Sequence, residues 1–189
     1  MNILILFGSP KRTGHTQKLL DAFLNGLKKP YHLQYARVFD MMPIPCNDCG
    51  YCKRAKGCSK KDLDTFMENY FQADFIIVAS PIYLYSMPAP LKALFDRFQR
   101  FFNARFSQNI KTPIDKQKKA ALLLTAGSNG AIGQRIIEEQ VKTAFSVMNT
   151  TLITSILLGN TDQYGSQENI LNKATETAKK ISAERRRNI

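Results

Sequence analysis

Histidine is scarce in this sequence: His15 and His32 are the whole complement among 189 residues. A His-built metal centre or a Ser-His-Asp triad therefore has little to draw on. No apolar run approaches the roughly 18 residues that a membrane-spanning helix takes, so no span is expected. The sequence passes from Met1-Asn2 into an apolar run without a basic leader, which gives the expectation of a cytoplasmic protein. Repeats, low-complexity segments and linkers are also missing, and the length suits one α/β domain over residues 1–189.

Acidic residues are the minority, 15 Asp and Glu against 27 Lys and Arg, for a formal net charge of +12. The basic excess is scattered over Lys53, Arg54, Lys56, Lys60 and Lys61, over Lys116, Lys118 and Lys119, and over Arg185, Arg186 and Arg187. No base-reading or aromatic motif is interleaved with it, so nucleic-acid binding has charge in its favour and nothing else. A basic surface also attracts phosphorylated small molecules and acidic redox partners.

Two phosphate signatures are absent as well. Five residues separate Gly8 from Gly14, and His15 stands where the lysine of GxxxxGK[ST] belongs, which excludes a P-loop. The glycines of Gly127-Ser128-Asn129-Gly130-Ala131-Ile132-Gly133 are not spaced as GxGxxG, which excludes the dinucleotide fingerprint. What stands at the start is nonetheless an anion-binding pattern. The apolar run Ile3-Leu4-Ile5-Leu6-Phe7 breaks into Gly8-Ser9-Pro10-Lys11-Arg12-Thr13-Gly14-His15-Thr16 and then into helical periodicity. A strand, a glycine- and hydroxyl-rich turn and a helix N-terminus bring free N–H groups, hydroxyls and a positive dipole end to one point. His15 there either donates to a bound phosphate or caps the helix.

Strand-like runs recur at 2–7, 32–38, 75–79, 120–125 and 152–158, with helical patterns between them. That alternation predicts a doubly wound parallel sheet of five strands, order 2-1-3-4-5, with helices on both faces and a ligand crevice at the switch point between strands 1 and 3. A helix over 14–27 would carry Leu19, Leu20, Phe23, Leu24 and Leu27 on one stripe. Another, from residue 89, would align Leu91, Leu94, Phe95, Phe98 and Phe102. The loop after strand 3, with Tyr83 and Tyr85 between Pro81 and Pro88, suits contact with a planar ring.

All four cysteines, Cys46, Cys49, Cys52 and Cys58, fall within 13 residues, which favours a metal or redox site over a disulfide framework. Three ligands at x2 spacing suit an iron-sulfur cluster better than zinc, whose ligands come from two separated knuckles. Reduced surface thiols, an all-thiolate zinc site and disulfides formed on oxidation stay open beside it.

The stretch from Gly8 to Thr16, the stretch Ser80-Pro81-Ile82-Tyr83 continuing through Ser86-Met87-Pro88-Ala89-Pro90-Leu91-Lys92-Ala93-Leu94-Phe95-Asp96-Arg97, and the cysteine cluster resemble the flavodoxin-like NAD(P)H-dependent FMN reductase family, in particular its iron-sulfur flavoprotein branch. The resemblance implies a flavodoxin-like fold and noncovalent FMN. It places the FMN phosphate on Ser9, Lys11, Gly14, His15 and Thr16, and the ring beside Pro81, Ile82, Tyr83 and Leu84. Thr125, Ala126, Gly127 and Ser128 would border the pyrimidine end. It further implies NAD(P)H as reductant, a quinone, flavin or other small electron acceptor, no side chain acting as acid or base, and a homodimer or homotetramer. One alternative is an electron carrier with a [4Fe-4S] cluster on Cys46, Cys49, Cys52 and Cys58. The other is a flavin-sensing regulatory or nucleic-acid-binding protein.

Overall fold

The three most apolar runs become the centre of the sheet. In a computed structural model that describes residues 1–163 and 167–187, strands β1 (Asn2–Phe7), β3 (Phe75–Pro81) and β4 (Lys118–Thr125) lie side by side, flanked by β2 (His32–Arg37) and β5 (Thr150–Leu158). The order is β2-β1-β3-β4-β5 and every pairing is parallel. Continuous apolar sequence is what such strands need, because helices cover both faces.

Alternate side chains feed two cores. Leu4, Leu6, Ile76, Val78, Leu122 and Leu124 face α4 (Asp64–Gln72), α5 (Ala89–Asp96) and α7 (Ala131–Ser146). Ile3, Ile5, Phe7, Ile77, Ala79 and Leu123 face α1 (His15–Gly26) and α8 (Glu168–Arg187). The expected α1 stripe is buried in full. Two short helices complete the chain before α4: α2 (Val38–Met41) and α3 (Tyr51–Arg54). The side chains of Arg185, Arg186 and Arg187 lie outside the described residues. Among those residues no helix is long and apolar enough to cross a membrane.

Several boundaries differ from expectation. β2 stops at Arg37, where Val38 opens α2, and both β4 and β5 start two residues early because Lys118 pairs with Thr150 through backbone that needs no apolar side chain. The helix from Ala89 does not run on through Phe102. The Arg97 N–H bonds to the Ala93 and Leu94 carbonyls and the Phe98 N–H to Phe95, so the last turn tightens and a new helix, α6 (Gln99–Phe106), starts in a shifted phase. Phe101 is therefore buried and Phe102 exposed, the reverse of the expected stripe.

Lys118 is a charged side chain held in the interior, 1% exposed. Its Nζ donates to the Lys116 carbonyl at 3.0 Å and stands 5.7 Å from the Tyr70 ring centre. Burial, with repulsion from Lys116, pushes its ammonium down to about 8 from 10.5. Between these two values the unfolded chain holds more protons, so Lys118 makes wild type more stable as pH rises through that window. The difference in unfolding free energy between Lys118→Met and wild type is expected to move in favour of wild type from pH 8 to 10.5. A difference that stays constant across that range, measured by denaturant titration, contradicts this assignment.

Candidate functional site

The parallel register brings the ends of β1, β3 and β4 to one edge: Phe7 lies beside Ala79, and Pro81 beside Thr125. Three loops leave from there. The first begins at Gly8, whose N–H donates to Ala79 O at 2.8 Å. A Cβ at Gly8 would sit 2.8 Å from both Leu91 Cδ2 and Ser80 Oγ, so only glycine lets the loop turn this close to β3. The loop ends at Gly14, the N-cap of α1, with φ 141 and ψ −168, a conformation that strongly favours glycine.

The start of α1 is left for a ligand. Among the described residues no side chain caps it, its first turn holds no acidic residue, and a Cβ built on Gly14 meets nothing within 4 Å. Ser9 Oγ accepts from the Lys11 N–H at 3.2 Å, which curls the loop; the Lys11 side chain is exposed. Unpaired N–H groups at the positive end of a 12-residue helix, with open space over a glycine and Lys11 nearby, are suited to a phosphate.

Thr16 is buried, and its hydroxyl lies 2.9 Å from that of Thr125 at the end of β4. That bond joins the first expected loop to the third. His15 has its Nδ1 3.0 Å from Gln167 Oε1, at the approach to α8, and among the described residues no side chain caps the helix.

Ile82, in the second loop, donates its N–H to Thr125 O at 2.8 Å. Tyr83 and Ser86 then exchange backbone bonds at 2.9 Å each way across a two-residue turn, with Leu84 at φ 49 and Tyr85 at φ 62. Positive φ at two consecutive non-glycine residues costs of order 1–3 kcal/mol each, and such strain gathers at ligand clamps. The turn presents Tyr83 and Tyr85 half-exposed and Leu84 with 99% of its surface bare. Gly133 of α7 passes so near that its Cβ would fall 2.6 Å from Ile82 Cγ2 and 3.2 Å from Tyr85 Cα.

The third loop is braced by a segment without any local sequence signal. Ser128 O accepts from the Asn160 N–H at 2.7 Å, Ala126 O from the Thr161 N–H at 3.0 Å, and Gly127 O from the Asp162 N–H at 3.3 Å. A Cβ at Gly127 would meet the Asp162 carboxylate at 2.1 Å. Ser128 remains exposed beside it.

The cysteines are free thiols in the long connection between β2 and β3. Cys46 and Cys49 are exposed, Cys52 and Cys58 half-buried, and all four line one small concavity that Lys60 and Arg97 complete. Cys52 Sγ accepts from Asn103 Nδ2 at 3.1 Å. Cys49 Sγ lies 3.2 Å from Ser59 Oγ, and that hydroxyl, helped by the Tyr51 N–H, holds its thiol below the ordinary value. Among the described residues no three metal-binding side chains converge on a single-ion site. A cubane takes one thiolate per iron, a wider spread than one ion takes, and the donor set of four thiols round a single concavity suits it.

A larger cavity, of about 650 Å³, opens at the opposite edge of the sheet beside Leu27, Phe75, Lys119 and Ile181. It lies at the strand N-termini, away from the helix N-terminus and the strained turn, whereas sheets of this kind bind ligands at the C-terminal edge.

A parallel sheet in this order, with an uncapped helix N-terminus at its switch point, defines a doubly wound protein whose strand ends suit a phosphorylated ligand. Comparison with known proteins agrees. The NADPH-dependent FMN reductase family matches residues 1–164. The chain is 31% identical over 193 residues to an iron-sulfur flavoprotein of Methanosarcina thermophila, covering 96% of this chain and 93% of that one. Among solved structures it resembles an NAD(P)H:quinone oxidoreductase of Methanothermobacter marburgensis, with a TM-score of 0.72 at 21% identity and 96% of each chain covered. It also resembles an FMN-dependent NADH-azoreductase of Bacillus anthracis in complex with FMN, with a TM-score of 0.67 at 11% identity, covering 97% of this chain and 99% of that one. The chain belongs to the NADPH-dependent FMN reductase family. It is an NAD(P)H-dependent oxidoreductase with a flavodoxin-like fold, and its cofactor is FMN.

Proposed function

We propose that the chain holds the FMN phosphate on the turn from Gly8 to Thr16 and passes electrons from NADH or NADPH to a quinone, a free flavin or another small acceptor. The observation that carries this reading is the uncapped, acid-free start of α1 beneath open space at Gly14. When bound, the flavin supplies the hydride-accepting ring and can release electrons singly or in pairs. The chain's own part is binding and orientation. Ser9, Lys11, Gly14, His15 and Thr16 would receive the phosphate, with His15 Nδ1 held toward Gln167. Pro81, Ile82, Tyr83 and Leu84 would flank the ring, and Thr125, Ala126, Gly127 and Ser128 would border its pyrimidine end.

The Thr16–Thr125 bond fixes the spacing of these loops, and the strained turn at Leu84 and Tyr85 keeps an apolar rim where an acceptor would enter. The test is anaerobic titration of FMN-loaded protein with NADH and with NADPH. The visible flavin absorbance should bleach with at least one of them and recover when a quinone is added; flavin that stays oxidised with both overturns the reading.

A second reading has its own support. The four cysteines share one concavity, and the relative from Methanosarcina thermophila is an iron-sulfur flavoprotein. We infer that Cys46, Cys49, Cys52 and Cys58 hold a [4Fe-4S] cluster that relays electrons beyond the flavin. Iron and sulfide in anaerobically purified protein should approach four of each per chain, the composition of that cluster; flavin bands with neither element contradict it.

The bare apolar surface beside the cleft supports a homodimer or homotetramer. Leu84, Tyr83 and Tyr85 adjoin the start of α7, where Ile132 and Ile136 are about half-exposed one turn apart. Replacing Ile132 and Ile136 together by glutamate should shift the sedimentation of the wild-type oligomer to that of a monomer, and unchanged sedimentation contradicts this interface.

A further inference from the structure

One side chain in the wall of the cysteine concavity is buried and incompletely satisfied. Arg97 follows α5 directly and is 3% exposed. Its Nη1 donates to the Ile44 carbonyl at 2.8 Å and to Asp62 Oδ1 at 2.9 Å, and its Nη2 donates to the Lys60 carbonyl at 2.8 Å. Asp62 in turn accepts from the Ile44 N–H at 3.0 Å. Burial alone would raise the Asp62 carboxyl, but the Ile44 N–H and the Arg97 guanidinium together outweigh it and hold it below the usual carboxylate value. These bonds pin Ile44 and Lys60, two residues on either side of Cys46 and Cys58. The cysteine segment is thus clamped at both ends by one guanidinium.

The Nε–H of Arg97 is left over. It is buried and has no hydrogen-bond partner among the described residues. A buried donor without a partner is destabilising, the more so on a charged group, so proteins rarely keep one unless something else binds there. The concavity that Arg97 lines is bounded by all four thiols. Arg100, three residues further on, is a second cation near the thiols: burial lowers its guanidinium, and the Cys58 thiol is the first charge to pull it back up. The concavity thus joins four potential anions to a buried cation with one N–H unspent.

We propose that Arg97 is the positioning residue of the cysteine site, its Nε–H donating to an anionic sulfur of a [4Fe-4S] cluster on Cys46, Cys49, Cys52 and Cys58 while its fork holds the segment's two ends. This rests on the cluster reading of the cysteines. A thiolate-ligated cluster becomes more negative on reduction, so a fixed positive charge and a hydrogen bond to sulfur favour the reduced form and raise the potential. Asp62 places the opposite charge on the far side of the same guanidinium. The two residues should therefore shift the potential in opposite directions.

The experiment compares wild type, Arg97→Gln and Asp62→Asn, each purified anaerobically and checked for FMN content as a measure of folding. Redox titration followed by the EPR signal of the reduced cluster should give a lower potential for R97Q and a higher one for D62N. R97Q should also lose iron to a chelator about 10-fold faster than wild type, the usual penalty for removing a residue that supports a ligand. A clamp with no bond to the cluster would speed iron loss in both variants without moving the potential of what remains, and that result overturns the proposal. A measurement on wild type alone covers the case in which R97Q fails to fold. With isotopically labelled arginine, pulsed EPR of the reduced cluster should show hyperfine coupling to a guanidinium nitrogen, and its absence overturns the proposal. If wild type carries FMN but neither iron nor sulfide, the cluster reading falls and this inference with it, while the FMN oxidoreductase stands.

Discussion

Replacing Gly14 with aspartate is expected to weaken FMN binding at least ~100-fold while leaving the fold nearly as stable as wild type. Two effects act on binding. Gly14 has φ 141 and ψ −168, which a side chain adopts only at a cost of about 1–3 kcal/mol, so the loop must change shape under the phosphate. The new carboxylate would also take the first N–H groups of α1 for itself. A like charge about 4 Å from a phosphate oxygen is worth about 4 kcal/mol in a partly screened site, and 1.4 kcal/mol is already tenfold in affinity. Stability moves much less, because aspartate is a good N-cap and sits at the positive end of the helix, gains of about 1 kcal/mol that offset the backbone strain. The Cβ itself meets nothing within 4 Å. Quenching of FMN fluorescence measures the first effect and denaturant unfolding the second. Wild-type affinity in G14D would mean that the phosphate lies elsewhere.

The largest expected loss of stability comes from the other end of the same helix. Gly26 closes α1, and a Cβ there would lie 2.1 Å from the Thr175 carbonyl oxygen of α8 and 2.8 Å from Ala178 Cβ. Helix propensity alone favours alanine over glycine by about 1 kcal/mol. Packing decides the sign against it, since the nearest obstacle is backbone and cannot rotate away. Thr175 also donates from its hydroxyl to Ala22 O at 2.8 Å, so prising α8 off α1 breaks that bond as well. Overpacking of this kind costs about 1–3 kcal/mol, and Gly26→Val, with a branched side chain, should reach the upper value. For a protein of this size that lowers the unfolding midpoint by roughly 10 °C. Calorimetry that finds G26V as stable as wild type would show that α8 is not seated against α1 as described.

Much of the site was legible because it is local. A strand, a glycine turn and a helix start are written within Gly8 to Thr16, and the strand order follows from the alternation of apolar runs and helices. What escaped depends on partners far away in the chain. Nothing near Thr16 announces Thr125, 109 residues on. Nothing around Ala126 announces the brace from Asn160 to Asp162, and His15 meets Gln167 across 152 residues. Phe102 was misplaced for a different reason, since a 3.6-residue period assumes an unbroken helix and the tightened turn at Arg97 resets the phase. Arg97 itself read only as part of a family-like stretch. Its importance shows when Ile44, Lys60 and Asp62 are seen around one guanidinium.

The central claim is that the turn from Gly8 to Thr16 holds a flavin by its phosphate. Competition between FMN and riboflavin for the flavin-free protein tests it most directly, because the two ligands share the ring and differ in the phosphate alone. FMN should bind one per chain and riboflavin at least ~100-fold more weakly, with a gap that closes in Gly14→Asp. Equal affinity of wild type for the two ligands would contradict the account.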